Sequence, residues 1–182
     1  MLPMTTQRLV LRPLRLEDAT GVFAYASDPE VTHYLPWETH QTLEDSKAFI
    51  AHAQSMKDDP FNNLALCLKD TPDSLIGVVC LRRGAHEFSA ELAYALSQQY
   101  WRHGFMYEAC SALRNMAFGD LGYKRLSATC AKENIASKSL MKKLGMQFEG
   151  CLRASTYRKN TLWDIEYYAI LEDDWRALKG ND

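Results

Sequence analysis

The chain has 182 residues, 47% of them hydrophobic and 24% charged, with 21 Lys and Arg against 23 Asp and Glu for a formal net charge of −2. That size and balance fit one globular domain over residues 1–182 with core enough to fold without a metal or disulfide staple, and exclude disordered and fibrous classes. They offer no basic field for nucleic acid, no apolar run of membrane-spanning length and no signal-peptide core behind Met1, so the cytoplasm is the expected compartment. Five cysteines (Cys67, Cys80, Cys110, Cys130, Cys151) form no C-x-x-C pair, and several lie in apolar stretches. They read as reduced, structural thiols. His33, His40, His52, His86 and His103 have no ligand-like spacing, so no metal site is expected.

Leu9 and Leu11 alternate with Val10 and Arg12 before Pro13, which predicts a short strand. Ala19, Val22, Phe23 and Ala26 then recur at helical spacing behind Glu17 and Asp18, whose charge suits a helix start. A second helix is predicted from the capping-box-like Thr42 and Asp45 through Phe49, Ile50, Ala53 and Met56 to a stop at Asp58-Asp59-Pro60. Three strand-like runs follow, around Leu64 to Leu68, Leu75 to Leu81 and Ala90 to Leu96, and read as an antiparallel meander. Then Ala109, Ala112, Leu113 and Met116 mark a helix, Leu126, Ala128 and Cys130 a strand, and Leu140, Met141 and Leu144 a helix closed by Gly145. Period two returns at Phe148 to Arg153 and at Trp163, Ile165, Tyr167, Ala169 and Leu171. The fold class is therefore α/β, a mixed and mostly antiparallel sheet flanked by helices.

Three places could carry chemistry. Gln98 to Met106 joins a strand to a helix, and the unpaired N–H groups and partial positive charge of a helix start can hold a phosphate. A glycine before a helix is also simply a turn residue, and neither a dinucleotide fingerprint nor a Walker loop is present. Glu133-Asn134-Ile135-Ala136-Ser137 opens another helix, where Asn134 reads first as an N-cap and Ser137 as an ordinary first-turn hydroxyl. Glu91 is a carboxylate within an apolar strand, which must be paired, solvated or at work.

Together, Ala90 to Leu96, Tyr100 to Ala109 and Glu133 to Met146 resemble, in order, the motifs of the GNAT superfamily of acyl-CoA-dependent N-acetyltransferases. Thr6-Gln7-Arg8-Leu9-Val10-Leu11-Arg12-Pro13, Tyr34-Leu35-Pro36-Trp37, Glu149-Gly150 and Asp164 resemble its RimJ/RimL branch, whose best-known members acetylate the N-terminal α-amine of ribosomal proteins. The resemblance runs from about Thr6 to Trp175 and implies a single GNAT-type domain with acetyl-CoA as co-substrate. It maps the family's phosphate loop onto Trp101, Arg102, His103, Gly104, Phe105 and Met106, with two departures. Arg102 stands where this branch commonly has Gly, and Met106 where a small residue is usual. The pantetheine arm would pair with the backbone from Tyr94 through Leu96 to Ser97, a backbone N–H there would polarise the thioester oxygen, and Asn134 would contact the arm. The family's tyrosine acid is replaced by Met141, so the resemblance moves the leaving-group proton to Ser137.

The implied reaction is direct attack of an amine on the acetyl carbonyl, after the amine has lost a proton. An α-amine of pKa about 7.7 to 8.0 needs less help than lysine at about 10.4, so one carboxylate acting through water suffices. Glu91 is the candidate base with Glu108 behind it, and Glu108 also suits the dipole of its helix start. Tyr34 and Trp37 are candidates for the acceptor groove, beside the plainer reading that aromatics next to proline pack. The acceptor is expected to be a protein N-terminus. The rivals are a polyamine or aminoglycoside acceptor and a catalytically idle acyl-CoA-binding module, and the resemblance is compatible with a homodimer.

Overall fold

The computed structural model describes residues 2–56 and 61–180. Its contacts divide the chain into two compact units, Met1–Arg82 with Tyr94–Ala109, and Arg83–Ala93 with Cys110–Asp182. The elements in chain order are β1 (Met4–Thr5), β2 (Leu9–Pro13), α1 (Ala19–Ala26), α2 (Pro29–Thr32), α3 (Leu43–Ser55), β3 (Leu64–Leu68), β4 (Thr71–Arg83) and β5 (Ser89–Leu96). After them come α4 (Phe105–Gly119), β6 (Arg125–Ala131), α5 (Ile135–Lys143), β7 (Gln147–Arg158), β8 (Thr161–Leu171) and α6 (Glu172–Lys179). The strand order is β1-β2-β3-β4-β5-β6-β8-β7. The pairs β1/β2, β2/β3, β3/β4, β6/β8 and β7/β8 are antiparallel and β5/β6 is parallel. This is the mixed, mostly antiparallel sheet that the periodicity predicts.

In the first unit, α1 and α3 lay Val22, Tyr25, Ala26 and Ile50 against Ala65 and Cys67 of β3, Val78 of β4 and Ala95 of β5. The start of α3 is the predicted capping box: Asp45 N donates to Thr42 Oγ1 at 3.4 Å, and Thr42 N donates to Asp45 Oδ2 at 2.8 Å. Hydrogen bonds from Thr42 N, Gln41 N and Thr42 Oγ1 to Oδ2 hold the Asp45 carboxyl below its ordinary value. The helix ends at Ser55, and the predicted stop at Asp58-Asp59-Pro60 lies outside the described residues. Beneath α1, Arg12 and Asp18 form a buried two-pronged ion pair.

In the second unit, the parallel β5/β6 ladder covers only Ser89, Ala90 and Glu91 against Arg125, Leu126 and Ser127. Helix α4 buries Met106, Ala109, Cys110, Leu113, Met116 and Ala117, a stripe at helical spacing that begins in the first unit and continues into the second. Asn134 caps α5 by accepting from Ser137 N at 3.0 Å. The other end closes as a Schellman motif, with Met146 N on Met141 O and Gly145 N on Lys142 O, both at 3.0 Å. That motif needs a left-handed residue, and Gly145 supplies it at φ 83°. The rings of Phe118 and Trp175 stack 5.4 Å apart, holding α6 to α4.

Three features differ from the periodicity. β1, α2 and α6 are too short or too late in the chain to leave a stripe, and α6 follows β8 with no intervening residue. β4 begins at Thr71, because β3 turns into it through Lys69 and Asp70 alone. In β8 the buried set includes Glu166, Tyr168 and Ile170, while Tyr167 and Leu171 of the alternating series are exposed. All five cysteines are free thiols, four of them buried.

Candidate active site

The strand-to-helix junction lies in the first unit. Trp101 Nε1 donates to the Leu96 carbonyl at 2.8 Å, fastening the turn to the end of β5. Leu96 O is therefore a fixed point of the loop, while Ser97 N donates to Ile76 O at 2.9 Å and is committed to β4. That removes Ser97 from the backbone donors expected between Tyr94 and Ser97. A Cβ at Gly77 would run into the Ala95 carbonyl, so β4 approaches the end of β5 at a position only glycine fits. Arg102 and Gly104 both take left-handed backbone, at φ 64° and 80°. Trp101, Arg102, His103 and Gly104 are exposed, the His103 and Phe105 rings stack at 5.8 Å, and Met106 is buried. The Met106 side chain thus fills core, and its size is no obstacle to a ligand on the exposed loop.

The conformation of Arg102 gives the physical reason for glycine at that position. A left-handed L-residue costs about 1–2 kcal/mol, of which glycine returns about 0.5–1 through the freedom of its unfolded chain. Arg102→Gly is expected to stabilise the fold by about 0.5–1 kcal/mol. The check is the urea midpoint at constant slope, and a lower midpoint would show that the Arg102 side chain holds the loop.

The sequence reading missed what grips this loop from outside. Glu108, in the first turn of α4, accepts from Thr6 Oγ1 at 2.6 Å, Arg8 N at 2.7 Å and Arg8 Nε at 2.7 Å. Burial raises its pKa, but the hydrogen bonds from Thr6 and Arg8 outweigh it and the carboxyl sits below its ordinary value. A carboxylate so occupied is a weaker proton acceptor than a free one. Arg8 Nη1 donates to His103 O at 3.0 Å, and the guanidinium lies over the Phe105 ring, 4.5 Å from its centroid. No local signal could have revealed this, since Arg8 and Glu108 are 100 residues apart.

Glu91, Asn134 and Ser137 belong to the second unit. Glu91 is half-buried at the last position of the β5/β6 ladder, opposite Ser127. Its carboxylate makes no side-chain hydrogen bond or ion pair among the described residues. Asn134 spends its carbonyl oxygen on the helix cap, which leaves the amide N–H groups for another partner. The Ser137 hydroxyl is hydrogen-bonded to Cys130, whose thiol burial pushes up to about 11. Cys130 is therefore a neutral thiol near pH 7, with the Ser137 hydroxyl bonded at its sulfur and lowering its pKa against that burial. Opposite Cys130 on β8 lies the buried carboxylate of Glu166, which accepts from Tyr168 Oη at 2.9 Å and pairs with Lys138 Nζ at 3.5 Å. The residue next to Ser137 is thus anchored to the sheet.

Trp37 packs between Tyr25 and Phe49, with centroids 6.4 Å from each, and is 5.3 Å from His40. Burial lowers the His40 pKa, which keeps that ring neutral beside the indole. Tyr34 meets His33 edge to face at 4.5 Å and is half-buried. Among the described residues no three His, Cys, Asp or Glu converge as a metal site, and no helix is long and apolar enough to cross a membrane.

The acetyltransferase (GNAT) domain model matches residues 8–147. The uncharacterized N-acetyltransferase YnaD of Bacillus subtilis (strain 168) is 36% identical over 172 residues, covering 94% of this chain and 98% of that protein. The crystal structure of a GNAT-family acetyltransferase from Bacillus anthracis superposes with a TM-score of 0.85 at 29% identity, over 93% of this chain and 98% of that one. The microcin C7 self-immunity acetyltransferase MccE, solved with acetyl-CoA and AMP, matches at a TM-score of 0.79 and 19% identity over 91% and 93% of the two chains, a likeness of fold alone.

Proposed function

Since this chain belongs to the GNAT family of acetyltransferases, we propose that it transfers the acetyl group of acetyl-CoA to the N-terminal α-amine of a protein, a ribosomal protein first among them. The observation that carries this reading is the uncommitted, half-buried carboxylate of Glu91 set against the fully committed Glu108. One carboxylate working through water is matched to an α-amine of pKa about 7.7 to 8.0, whereas an amine near 10.4 asks for far more. Thr6 to Pro13, Tyr34 to Trp37, Glu149-Gly150 and Asp164 support the RimJ/RimL character of the acceptor side.

In this reading the backbone from Arg102 to Tyr107 cradles the diphosphate of the cofactor, and the exposed side chains of Trp101, Arg102 and His103 border it. The pantetheine arm runs along Tyr94 to Leu96, and the Asn134 amide donates to it. Glu91 takes the amine proton, the amine attacks the thioester carbonyl, and Ser137 protonates the departing thiolate. Tyr34 and Trp37 line the acceptor side. The site works in the cytoplasm, where acetyl-CoA and nascent ribosomal proteins meet.

The test is mass spectrometry of products after incubation with acetyl-CoA and a panel of ribosomal-protein N-terminal peptides, polyamines and aminoglycosides. The expected product is a peptide acetylated on its α-amine. Acetylation of a small amine alone would replace the acceptor, and cofactor binding without any product would leave an acyl-CoA-binding module. Thiol-release colorimetry is a poorer choice with five free cysteines in the protein.

A further inference from the structure

Arg8 precedes β2 and lies far in sequence from every motif that the family resemblance uses for the cofactor, yet its side chain reaches the loop. Three of its contacts fix the guanidinium: Nε on Glu108 at 2.7 Å, Nη1 on the His103 carbonyl at 3.0 Å, and the planar face over Phe105. The remaining nitrogen, Nη2, makes no hydrogen bond among the described residues and lies 3.5 Å from where a Cβ on Gly104 would stand. Arg8 keeps 44% of its side-chain surface exposed, and Nη2 is its guanidinium nitrogen without a protein partner among the described residues.

We propose that Arg8 is a cofactor-binding residue whose Nη2 donates to the diphosphate of acetyl-CoA at Gly104, with Glu108 and Thr6 as the positioning residues that aim it. The proposal rests on the reading of Trp101 to Met106 as the diphosphate loop. Its logic is preorganisation. An arginine tethered at Nε and Nη1 has already lost most of its rotamer freedom, so little more is lost when a charge-assisted hydrogen bond to phosphate forms. Glu108 alone would repel a diphosphate at this helix start, and Arg8 neutralises it while leaving a donor over. The glycine at 104 supplies the left-handed backbone that brings the loop beside Nη2.

The test is calorimetric titration of the wild type, Arg8→Met and Arg8→Lys with CoA and with dephospho-CoA, which lacks the 3′-phosphate and keeps the diphosphate, at two salt concentrations. Arg8→Met is expected to weaken both ligands at least tenfold and to flatten the salt dependence of affinity. Arg8→Lys, which keeps the charge without the fork, is expected to fall between, and its binding keeps the test decisive should the Met variant fold poorly. Unchanged affinity in either variant would overturn the proposal. So would a loss for CoA alone, which would move Arg8 to the 3′-phosphate, or a loss with undiminished salt dependence, which would make Arg8 only a loop support. A wild type that binds neither ligand would overturn the diphosphate loop itself, and the proposal with it.

Discussion

Replacing Glu91 by glutamine is expected to lower kcat by about 10²- to 10⁴-fold, the range for losing a general base, with the affinity for acetyl-CoA unchanged. The substitution keeps the shape and removes the charge. Glu91 has no side-chain partner among the described residues, so nothing structural is broken with it. The pH profile carries the stronger discrimination. Below the amine pKa the base must take the proton, whereas above about pH 8 an α-amine is already mostly free, and the deficit of the variant should shrink as pH rises. Steady-state kinetics on an N-terminal peptide from pH 6 to 10 would show this. A uniform deficit at every pH, or a weakened cofactor affinity in place of a lower kcat, would mean that Glu91 supports the strand and moves no proton.

The largest expected effect on stability is at Asp18. Arg12 Nη1 and Nη2 donate to its two carboxylate oxygens at 2.8 and 2.7 Å, and Arg15 N donates to Oδ2 at 2.7 Å. Both side chains are buried, 5% and 2% exposed. Removing the carboxylate strands a guanidinium that cannot shed its charge, and breaking such a pair costs about 3–5 kcal/mol. Asp18→Ala is therefore expected to lower the unfolding free energy by about that amount, read from urea denaturation. The neighbouring Arg15–Asp73 pair is the control. It is 57% and 87% exposed, so Asp73→Ala should change stability by less than about 1 kcal/mol. A joint replacement of Arg12 and Asp18 by Met and Leu should recover most of the loss, since the penalty lies in the orphaned charge. Equal effects at Asp18 and Asp73 would refute the burial argument.

The local devices of this fold are legible in the sequence because each is made by residues a few positions apart. Thr42 and Asp45 cap α3 as their spacing predicts, Asn134 caps α5, and Gly145 ends it in the left-handed conformation. Period two and period 3.6 separate the principal strands from the helices, and the order of the motifs led to the GNAT family that the comparisons establish. α6 left a weaker trace. The Leu171 N–H on Asp174 at 3.1 Å and the Glu172–Arg176 pair at 2.8 Å are spaced for a helix start, but the alternation of β8 running into them masks the signal.

Tertiary structure alone decided which of two strand-and-helix carboxylates is held by hydrogen bonds. Glu91 and Glu108 are alike as letters, each near an apolar stretch and next to the same loop in sequence. One proves to be without a side-chain partner among the described residues, and the other is saturated by Thr6 and Arg8 from the opposite end of the chain. The same holds for the left-handed backbone at Arg102, the thiol against Ser137, and Glu166 between Tyr168 and Lys138. The sequence by itself determined periodicity, caps and family, because those depend on contacts within one or two turns. The state of each polar group depended on partners up to about a hundred residues away. Hydrogen bonding saturates, so a donor spent on one acceptor is lost to another, and only the folded chain assigns them.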